Sequence, residues 1–127
     1  MPNLELPFSI SEYATRLDLV RKSMADNNIE VLFTCDPSNM AWLSGYDGWS
    51  FYVHQGVLIG PVGDPIFWGR KMDAVGATLT CYMNNDRIHG YSDDFVMSDK
   101  HAMLDLSNVI SDYGWSNLRL GVELDNY

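Results

Sequence analysis

The run IEVLFTC, residues 29–35, constrains the fold more than any other part of the chain. It is nearly continuous in apolar residues, which is typical of a strand inside a sheet that is covered on both faces. A sheet covered on both faces needs helices, so the run predicts an α/β fold. The segment Asp36-Pro37-Ser38 then breaks the strand and can cap a short helix that extends through Trp42 and Leu43.

An amphipathic helix is predicted ahead of this strand. Ser9 begins a capping box with Glu12 three residues later, and apolar residues then recur at helical spacing to about Asn27. The predicted inward face consists of Tyr13, Leu17, Val20 and Met24, and the basic residues placed mostly off that face are Arg16, Arg21 and Lys22.

The rest of the chain predicts alternating strands and helices with one hairpin inserted. Strand-like runs span residues 49–59, 66–69, 87–91 and 118–124, and the turn cluster GPVGDP joins residues 53–60 to 66–69. Helices are expected over residues 72–83 and 100–113, the second with Gly114 as its C-cap. Its predicted inward residues are Met103, Leu104, Leu106, Val109, Ile110 and Tyr113. The 127 residues fit one domain with a mixed sheet flanked by helices.

Composition and charge argue against several partners. The net charge of −9 makes nucleic acid a poor partner, because an anionic surface repels phosphate. No run of about 18 apolar residues is present, and the N-terminus lacks a secretory h-region, so we expect no membrane partner. Cys35 and Cys81 match no zinc spacing, and both are expected to be buried free thiols. Free thiols without a signal peptide favour the cytoplasm.

A search for catalytic motifs yields no self-sufficient set. The chain has no GxSxG, Walker, GxGxxG or HExxH pattern, and its three histidines, His54, His89 and His101, are scattered. The neighbouring Asp93 and Asp94 are interpreted as a solvated turn, since adjacent loop carboxylates rarely converge on one metal. The residues therefore predict a binding or interface domain, with no catalytic residue and no metal or cofactor of its own.

The stretch NMAWLSGYDGWSFYVHQG, residues 39–56, is unusually aromatic. On a strand, Trp49, Phe51 and Val53 would share one face, and Tyr52 and His54 would lie on the other. Such a strand either lies in the core or lines a pocket or a partner. The polar tips of tryptophan and tyrosine suit an interface, so exposure of Trp49 and Tyr52 would distinguish the two interpretations.

The order of these motifs resembles the creatinase/prolidase/aminopeptidase P family. Asn39 followed by Trp42-Leu43-Ser44-Gly45-Tyr46, and a later Gly121-Val122-Glu123, are similar to motifs of that family's N-terminal domain. The resemblance covers essentially the whole chain. It implies a ribonuclease H-like α/β domain, a C-terminally truncated fragment, and a catalytic pita-bread domain that lies outside these residues. The parent would then use a divalent metal, or none, as in creatinase.

Within that family, DPSNMAWLSGYDGWSFYVHQ and GVELDNY are most similar to the ectoine hydrolases, which open a cyclic amidine to N-acetyl-diaminobutyrate. The resemblance implies a homodimer in which this domain reaches the substrate entrance of the neighbouring subunit. An ungapped alignment from Ser44 puts the family's substrate-contacting aromatic at Phe51 and Val53 where creatinases have arginine. Val53 argues against creatine, because the carboxylate clamp would be missing.

We therefore expect four residues near a small zwitterionic substrate, namely Trp49, Phe51, Tyr52 and His54. Three alternatives stay open. The parent could be an Xaa-Pro peptidase or another amidine hydrolase. The chain could be a stand-alone module that binds a small molecule or a protein. It could also be a purely structural dimerisation domain whose aromatic residues are all core.

Overall fold

The computed structural model describes residues 5–50, 52–96 and 98–125, and it is an α/β fold. Four helices and five strands lie along these residues and alternate except for one hairpin, with two short 3₁₀ turns at Asn85–Arg87 and Asp93–Phe95. The helices and strands are α1 (Ile10–Asp26), β1 (Val31–Thr34), α2 (Pro37–Ser44), β2 (Gly56–Ile59), β3 (Ile66–Arg70), α3 (Lys71–Thr80), β4 (Ile88–Tyr91), α4 (Met103–Asp112) and β5 (Leu120–Val122).

The five strands form one mixed sheet in the order β4-β3-β2-β1-β5. The hairpin β2–β3 is antiparallel, as its turn cluster predicted, and β1 is antiparallel to β2. The outer pairs, β1–β5 and β3–β4, are parallel. Strand β1 is therefore paired on both sides, and the predicted interior strand and mixed α/β sheet are confirmed.

Helices cover the two faces of the sheet unequally. Helices α1, α2 and α3 pack on the face that carries Val57, Ile59 and Phe67. Helix α4 packs on the opposite face, where Trp68 and Tyr91 are almost fully buried. Because side chains alternate along each strand, neighbouring residues of one strand supply both cores.

Ser9 caps the start of α1 as predicted, but the predicted position of Arg16 is wrong. Ser9 accepts a hydrogen bond from the backbone N–H of Glu12. The Arg16 side chain is buried, and its guanidinium lies 4.1 Å from the ring centroid of Phe8 and donates to the backbone carbonyl of Trp42 at 2.9 Å. Arginine can be buried in this way because its planar group stacks on aromatic rings while its N–H groups find acceptors.

The strand predicted over residues 49–59 begins only at Gly56, and this changes the face assignment. Strand β3 ends at Arg70, where α3 begins directly, and β1 ends at Thr34. In the registers of these pairs, β1 ends opposite Val57 and β3 ends opposite residue 54, so neither neighbour extends far enough to pair with residues 49–53. The described part of that segment is a loop, so the predicted alternation of Trp49 and Val53 against Tyr52 and His54 is wrong.

Three predicted burials also differ from the structure. Met103 and Leu104 are exposed, Leu104 by 57%, because α4 begins at Met103 and its first turn places both side chains away from the sheet. Leu106 and Val109 are buried as expected. Cys81 is a buried free thiol, and burial raises its pKa to about 12, whereas Cys35 is only half-buried.

Candidate functional site

The aromatic stretch forms a loop between α2 and β2, here called the aromatic loop, residues 46–55. Helix α2 ends because Gly45 adopts a left-handed conformation with φ of 83°, and a Cβ at Gly45 would lie 2.9 Å from the carbonyl oxygen of Thr80. Only glycine adopts this geometry without strain. The chain therefore leaves the helix sharply and crosses toward the start of α3.

Two aromatic side chains of this loop point into solvent. Trp49 is 81% exposed and Tyr52 is 75% exposed, and His54 is also exposed. Phe51, the fourth residue predicted for the site, lies outside the described residues. The interpretation that all of these aromatic residues belong to the core is therefore wrong for Trp49 and Tyr52. The structure places Trp49, Tyr52 and His54 on one loop, within six residues of one another.

Hydrogen bonds tie the aromatic loop to the domain at two points. The Ser50 hydroxyl donates to the carboxylate of Asp73 in the first turn of α3. The hydroxyl of Tyr91 on β4 donates to the backbone carbonyl of His54 at 2.6 Å. A backbone bond from Val53 to Ser50 closes a turn between these anchors. Tyr52 therefore projects from between the two anchors, and Trp49 directly precedes the first of them.

His54 also contacts the region just before α4. Its ring centroid lies 4.6 Å from that of His101, whose Nδ1 accepts the backbone N–H of Met103. Partial burial and the neighbouring His101 lower the pKa of His54 below its usual value. His89 on β4 interacts with the hydroxyl of Tyr113 at 3.0 Å, and burial lowers its pKa as well.

These two histidines predict a loss of stability in mild acid. A histidine with a lowered pKa in the folded protein is held neutral, so the unfolded chain binds more protons once the pH falls below about 6.5. We expect the urea midpoint to decrease from pH 7.5 to 5.5, and the variants His54→Asn and His89→Asn to flatten that slope. The hydrogen bond from Arg70 holds the pKa of Asp93 below its usual value. The stability that this carboxylate contributes is lost only at a pH below the range measured here. A midpoint that increases toward pH 5.5 would contradict this prediction.

A buried polar pair lies at the base of the aromatic loop. Tyr46 rests on Phe67 with ring centroids 4.6 Å apart, and its hydroxyl lies 3.4 Å from Oε1 of Gln55. Gln55 is only 4% exposed, and no hydrogen-bond partner of its Nε2 is found among the residues that the structure describes. Leaving a buried amide donor unpaired costs about 1–3 kcal/mol. Burial, and secondarily the Asp73 carboxylate, raise the pKa of Tyr46, so its hydroxyl stays protonated.

Gln55 is not among the site residues predicted from the sequence. The available signal was a polar side chain directly before the apolar run GVLI, where a buried amide needs a partner.

The two motifs that carried the family resemblance lie in contact in the structure. One carboxylate oxygen of Glu123, just after β5, accepts the side-chain amide of Asn39 at 3.0 Å. The other accepts the backbone N–H of Asp36 at 2.9 Å. Asp36 in turn caps α2 by accepting the backbone N–H of Ser38. Glu123 therefore fixes the start of the helix that leads into the aromatic loop.

Neither a metal site nor a membrane span is found in the part of the chain that the structure describes. No three histidine, cysteine, aspartate or glutamate side chains there are grouped so that they could hold a metal ion. No helix in the same residues is both long and apolar enough to cross a membrane.

Comparison with known proteins matches this chain to one domain family. The model of the creatinase/prolidase N-terminal domain matches residues 16–127. The chain is 52% identical over 129 aligned residues to an ectoine hydrolase of Halomonas elongata, covering 100% of this chain and 32% of that protein. It is 35% identical to an uncharacterised hydrolase/peptidase, y4tM, of Sinorhizobium fredii, and this match covers 96% of this chain and 32% of that protein. The chain thus spans about a third of the length of these curated relatives.

Solved structures show the same fold at low sequence identity. A proline dipeptidase from Streptococcus pneumoniae superimposes with a TM-score of 0.69 at 15% identity, over 88% of this chain and 76% of that one. The N-terminal domain of an Xaa-Pro dipeptidase from Lactobacillus brevis also superimposes with a TM-score of 0.69, at 13% identity, over 85% of this chain and 75% of that one.

Proposed function

Since this chain belongs to the creatinase/prolidase N-terminal domain family, we propose that it is the non-catalytic N-terminal domain of a hydrolase that cleaves a C–N bond of ectoine. The identity of 52% along the whole chain to an ectoine hydrolase supports this substrate. Relatives that match almost the whole chain are named as hydrolases or peptidases, which supports a hydrolytic parent. The catalytic residues would then belong to the two-thirds of the relatives' length that this chain does not match.

Within that parent, we assign the aromatic loop to the substrate entrance of the neighbouring subunit in a homodimer. The exposure of Trp49 and Tyr52 is the observation that carries this assignment. Trp68 and Phe67 are fully buried, so the domain can bury large aromatic residues, and Trp49 and Tyr52 are also more exposed than Phe8 and Trp42, which are about half-exposed. Exposed tryptophan and tyrosine side chains on an anchored loop suit a surface that contacts a ligand or a partner.

The chemistry of an aromatic wall fits ectoine, a zwitterion whose amidinium carries a delocalised positive charge. A cation over the face of a tryptophan or tyrosine ring is stabilised by roughly 0.5–2 kcal/mol, and most where water is excluded. Trp49 and Tyr52 would supply such faces once the neighbouring subunit closes over them.

The parent would activate the water that attacks the C–N bond through a divalent metal or a general base in its catalytic domain. The described residues of this domain supply no metal-binding group of three, so its role would be to bind and orient substrate. We place the parent in the cytoplasm, where thiols such as Cys35 and Cys81 stay reduced.

The test is a double variant of the full-length enzyme, Trp49→Ala with Tyr52→Ala. We expect KM for ectoine to increase about tenfold, because two cation–π contacts are lost. The free energy of unfolding should change by less than about 0.5 kcal/mol, since both side chains are exposed. The matched control is Leu19→Ala on α1, an exposed apolar residue away from the loop, which should leave KM and stability unchanged.

Three results would contradict these assignments. Unchanged kinetics in the double variant would remove the aromatic loop from the substrate entrance. Wild-type enzyme that hydrolyses an Xaa-Pro dipeptide but not ectoine would make the parent a peptidase. Tight binding of ectoine by the 127-residue chain alone would instead indicate a stand-alone binding module.

A further inference from the structure

The outer side of α3 is apolar, although it faces solvent. Met72, Val75 and Leu79 are exposed by 62%, 63% and 60%. Their spacings of three and four residues place them on one side of the helix together with Gly76, and these four residues are called the α3 stripe. The opposite side of α3, which includes Ala74, packs on the sheet. A helix that is apolar on both sides is typical of a buried position, yet the described residues cover only one side.

Gly76 lies in the middle of the α3 stripe. A glycine inside a helix costs about 1 kcal/mol relative to alanine, so such a position usually has a packing reason. The described residues supply none: outside the helix itself, no atom of theirs lies within 4 Å of the position that a Cβ at Gly76 would take. A glycine here would instead let a second helix approach the backbone of α3 closely.

The α3 stripe is complementary to itself. A two-fold axis between Val75 and Gly76 makes two copies of α3 antiparallel and places Met72 of one copy against Leu79 of the other. The same axis places each Val75 beside the open space at Gly76 of the second copy. Two-fold contacts require such self-complementarity, because both copies use the same surface. A second copy of this chain therefore fits the stripe.

Charge also favours a second copy at this stripe. The chain carries a net charge of −9, so two copies repel each other wherever acidic side chains meet. All residues of α3 are described, and Lys71 is the only exposed charged residue among them. The last turn of α3 contains no basic residue, although the C-terminal end of a helix favours a cation. In the antiparallel pair, Lys71 of one copy would lie beside that last turn of the other, where Thr80 shares a surface cavity with Asp47.

We propose that the α3 stripe is a contact between two copies of this chain, in which their α3 helices pack antiparallel about a two-fold axis next to Gly76. This inference deepens the proposed homodimer, on which it rests, by naming its surface. Ser50, the residue after Trp49, is hydrogen-bonded to Asp73 in the first turn of α3. The exposed indole of Trp49 therefore lies beside that turn, so the aromatic loop would border the contact with the neighbouring subunit.

The size of the contact determines how it should be detected. The α3 stripe and Trp49 together expose roughly 500 Å² of side chain in each copy, so two copies would bury roughly 1,000 Å², the lower limit of a specific interface. Such a contact is weak on its own, and the rest of the parent's interface would add to it. Trapping two neighbouring thiols as a disulfide detects the contact without requiring that it be strong.

The test is disulfide cross-linking of the full-length enzyme with Val75 replaced by cysteine. Under mild oxidation, we expect a covalent dimer to form at least about tenfold faster than in the control Leu19→Cys, because packing holds the two introduced thiols at a high effective concentration. The control is matched in exposure, since Leu19 is 58% exposed but lies on α1. Wild-type enzyme measures the background from Cys35 and Cys81.

The antiparallel arrangement is tested by two further variants. Met72→Cys and Leu79→Cys subunits that are expressed together should form a mixed disulfide. Neither variant should cross-link alone, because two copies of either residue would lie about 10 Å apart along the helix axes, beyond the reach of a disulfide. Equal cross-linking by Met72→Cys alone would overturn the arrangement.

Each other result overturns the proposal. If the thiol introduced at position 75 reacts with a maleimide as fast as the one at position 19 and does not cross-link, the α3 stripe faces solvent. If it neither reacts nor cross-links, another part of the parent covers the stripe. None of these measurements uses substrate. An enzyme that cross-links at position 75 but does not hydrolyse ectoine would therefore overturn the proposed substrate and keep the contact.

Discussion

Replacing Trp68 by alanine should lower the free energy of unfolding by about 3–5 kcal/mol, the range expected when a large aromatic side chain is removed from a core. Trp68 is fully buried on β3, with Tyr91 at 4.8 Å and Phe33 at 6.0 Å between ring centroids. Its indole N–H donates to Asp105 at 2.8 Å and so joins α4 to the sheet. Truncation would leave a cavity and remove that connection. Urea unfolding followed by far-UV circular dichroism measures the change.

Two variants separate packing from the hydrogen bond. Trp68→Phe keeps an aromatic ring but removes the donor to Asp105, so its effect should lie between those of wild type and Trp68→Ala. Trp49→Ala is the matched control for removing an indole, and should stay within about 0.5 kcal/mol of wild type because that side chain is 81% exposed. If Trp49→Ala and Trp68→Ala lowered the free energy of unfolding equally, the assignment of Trp49 to the surface and Trp68 to the core would be wrong.

Replacing Glu123 by alanine should lower the free energy of unfolding by about 2 kcal/mol. Hydrogen bonds to a charged group contribute about 1.5–3 kcal/mol each, and the value is reduced here because the carboxylate of Glu123 is partly exposed. Glu123 accepts from the backbone N–H of Asp36 and from the amide of Asn39. Without the Glu123 carboxylate, no side-chain hydrogen bond among the described residues connects the start of α2 to β5. Hydrogen exchange at the Ser38 and Asn39 amides should then accelerate more than exchange in the core strands.

Glu123→Gln should lose less stability than Glu123→Ala, because its amide oxygen can still accept one of the two hydrogen bonds. Asp125→Ala removes an exposed carboxylate two residues later and should have an effect below about 0.5 kcal/mol. If Asp125→Ala and Glu123→Ala had the same effect, the loss would reflect net charge and not the contact with α2.

Most of the elements were predictable because their signals are local. The helix caps at Ser9 and Asp36 and the turn cluster between β2 and β3 depend on residues a few positions apart. The extent of β2 was not predictable in the same way, since a strand extends only as far as its neighbours pair with it. Aromatic and β-branched residues favour a strand wherever they occur, so the sequence could not show that β3 gives way to α3 at Lys71.

The candidate site shows the same division. Its aromatic character could be predicted, and the exposure of Trp49 and Tyr52 agrees with the interface interpretation. The burial of Arg16 could not be predicted, because it depends on the rings of Phe8 and Trp42, which lie outside α1. The contact of Glu123 with Asn39 joins residues 84 positions apart, and only the folded chain brings them together. That Nε2 of Gln55 finds no partner among the described residues likewise appears only in the folded chain.

The pairing of β1 with β5 has a consequence for how the chain folds. Phe33 lies beside Val122, although most of the chain separates them, while the β2–β3 hairpin joins segments that are adjacent in sequence. Contacts of such high sequence separation carry a large loop-closure entropy and slow folding. On a ribosome, β1 would wait on the order of ten seconds for β5 to be synthesised. During that interval one edge of β1 stays open to intermolecular pairing, so nascent chains should be most prone to aggregation before β5 emerges.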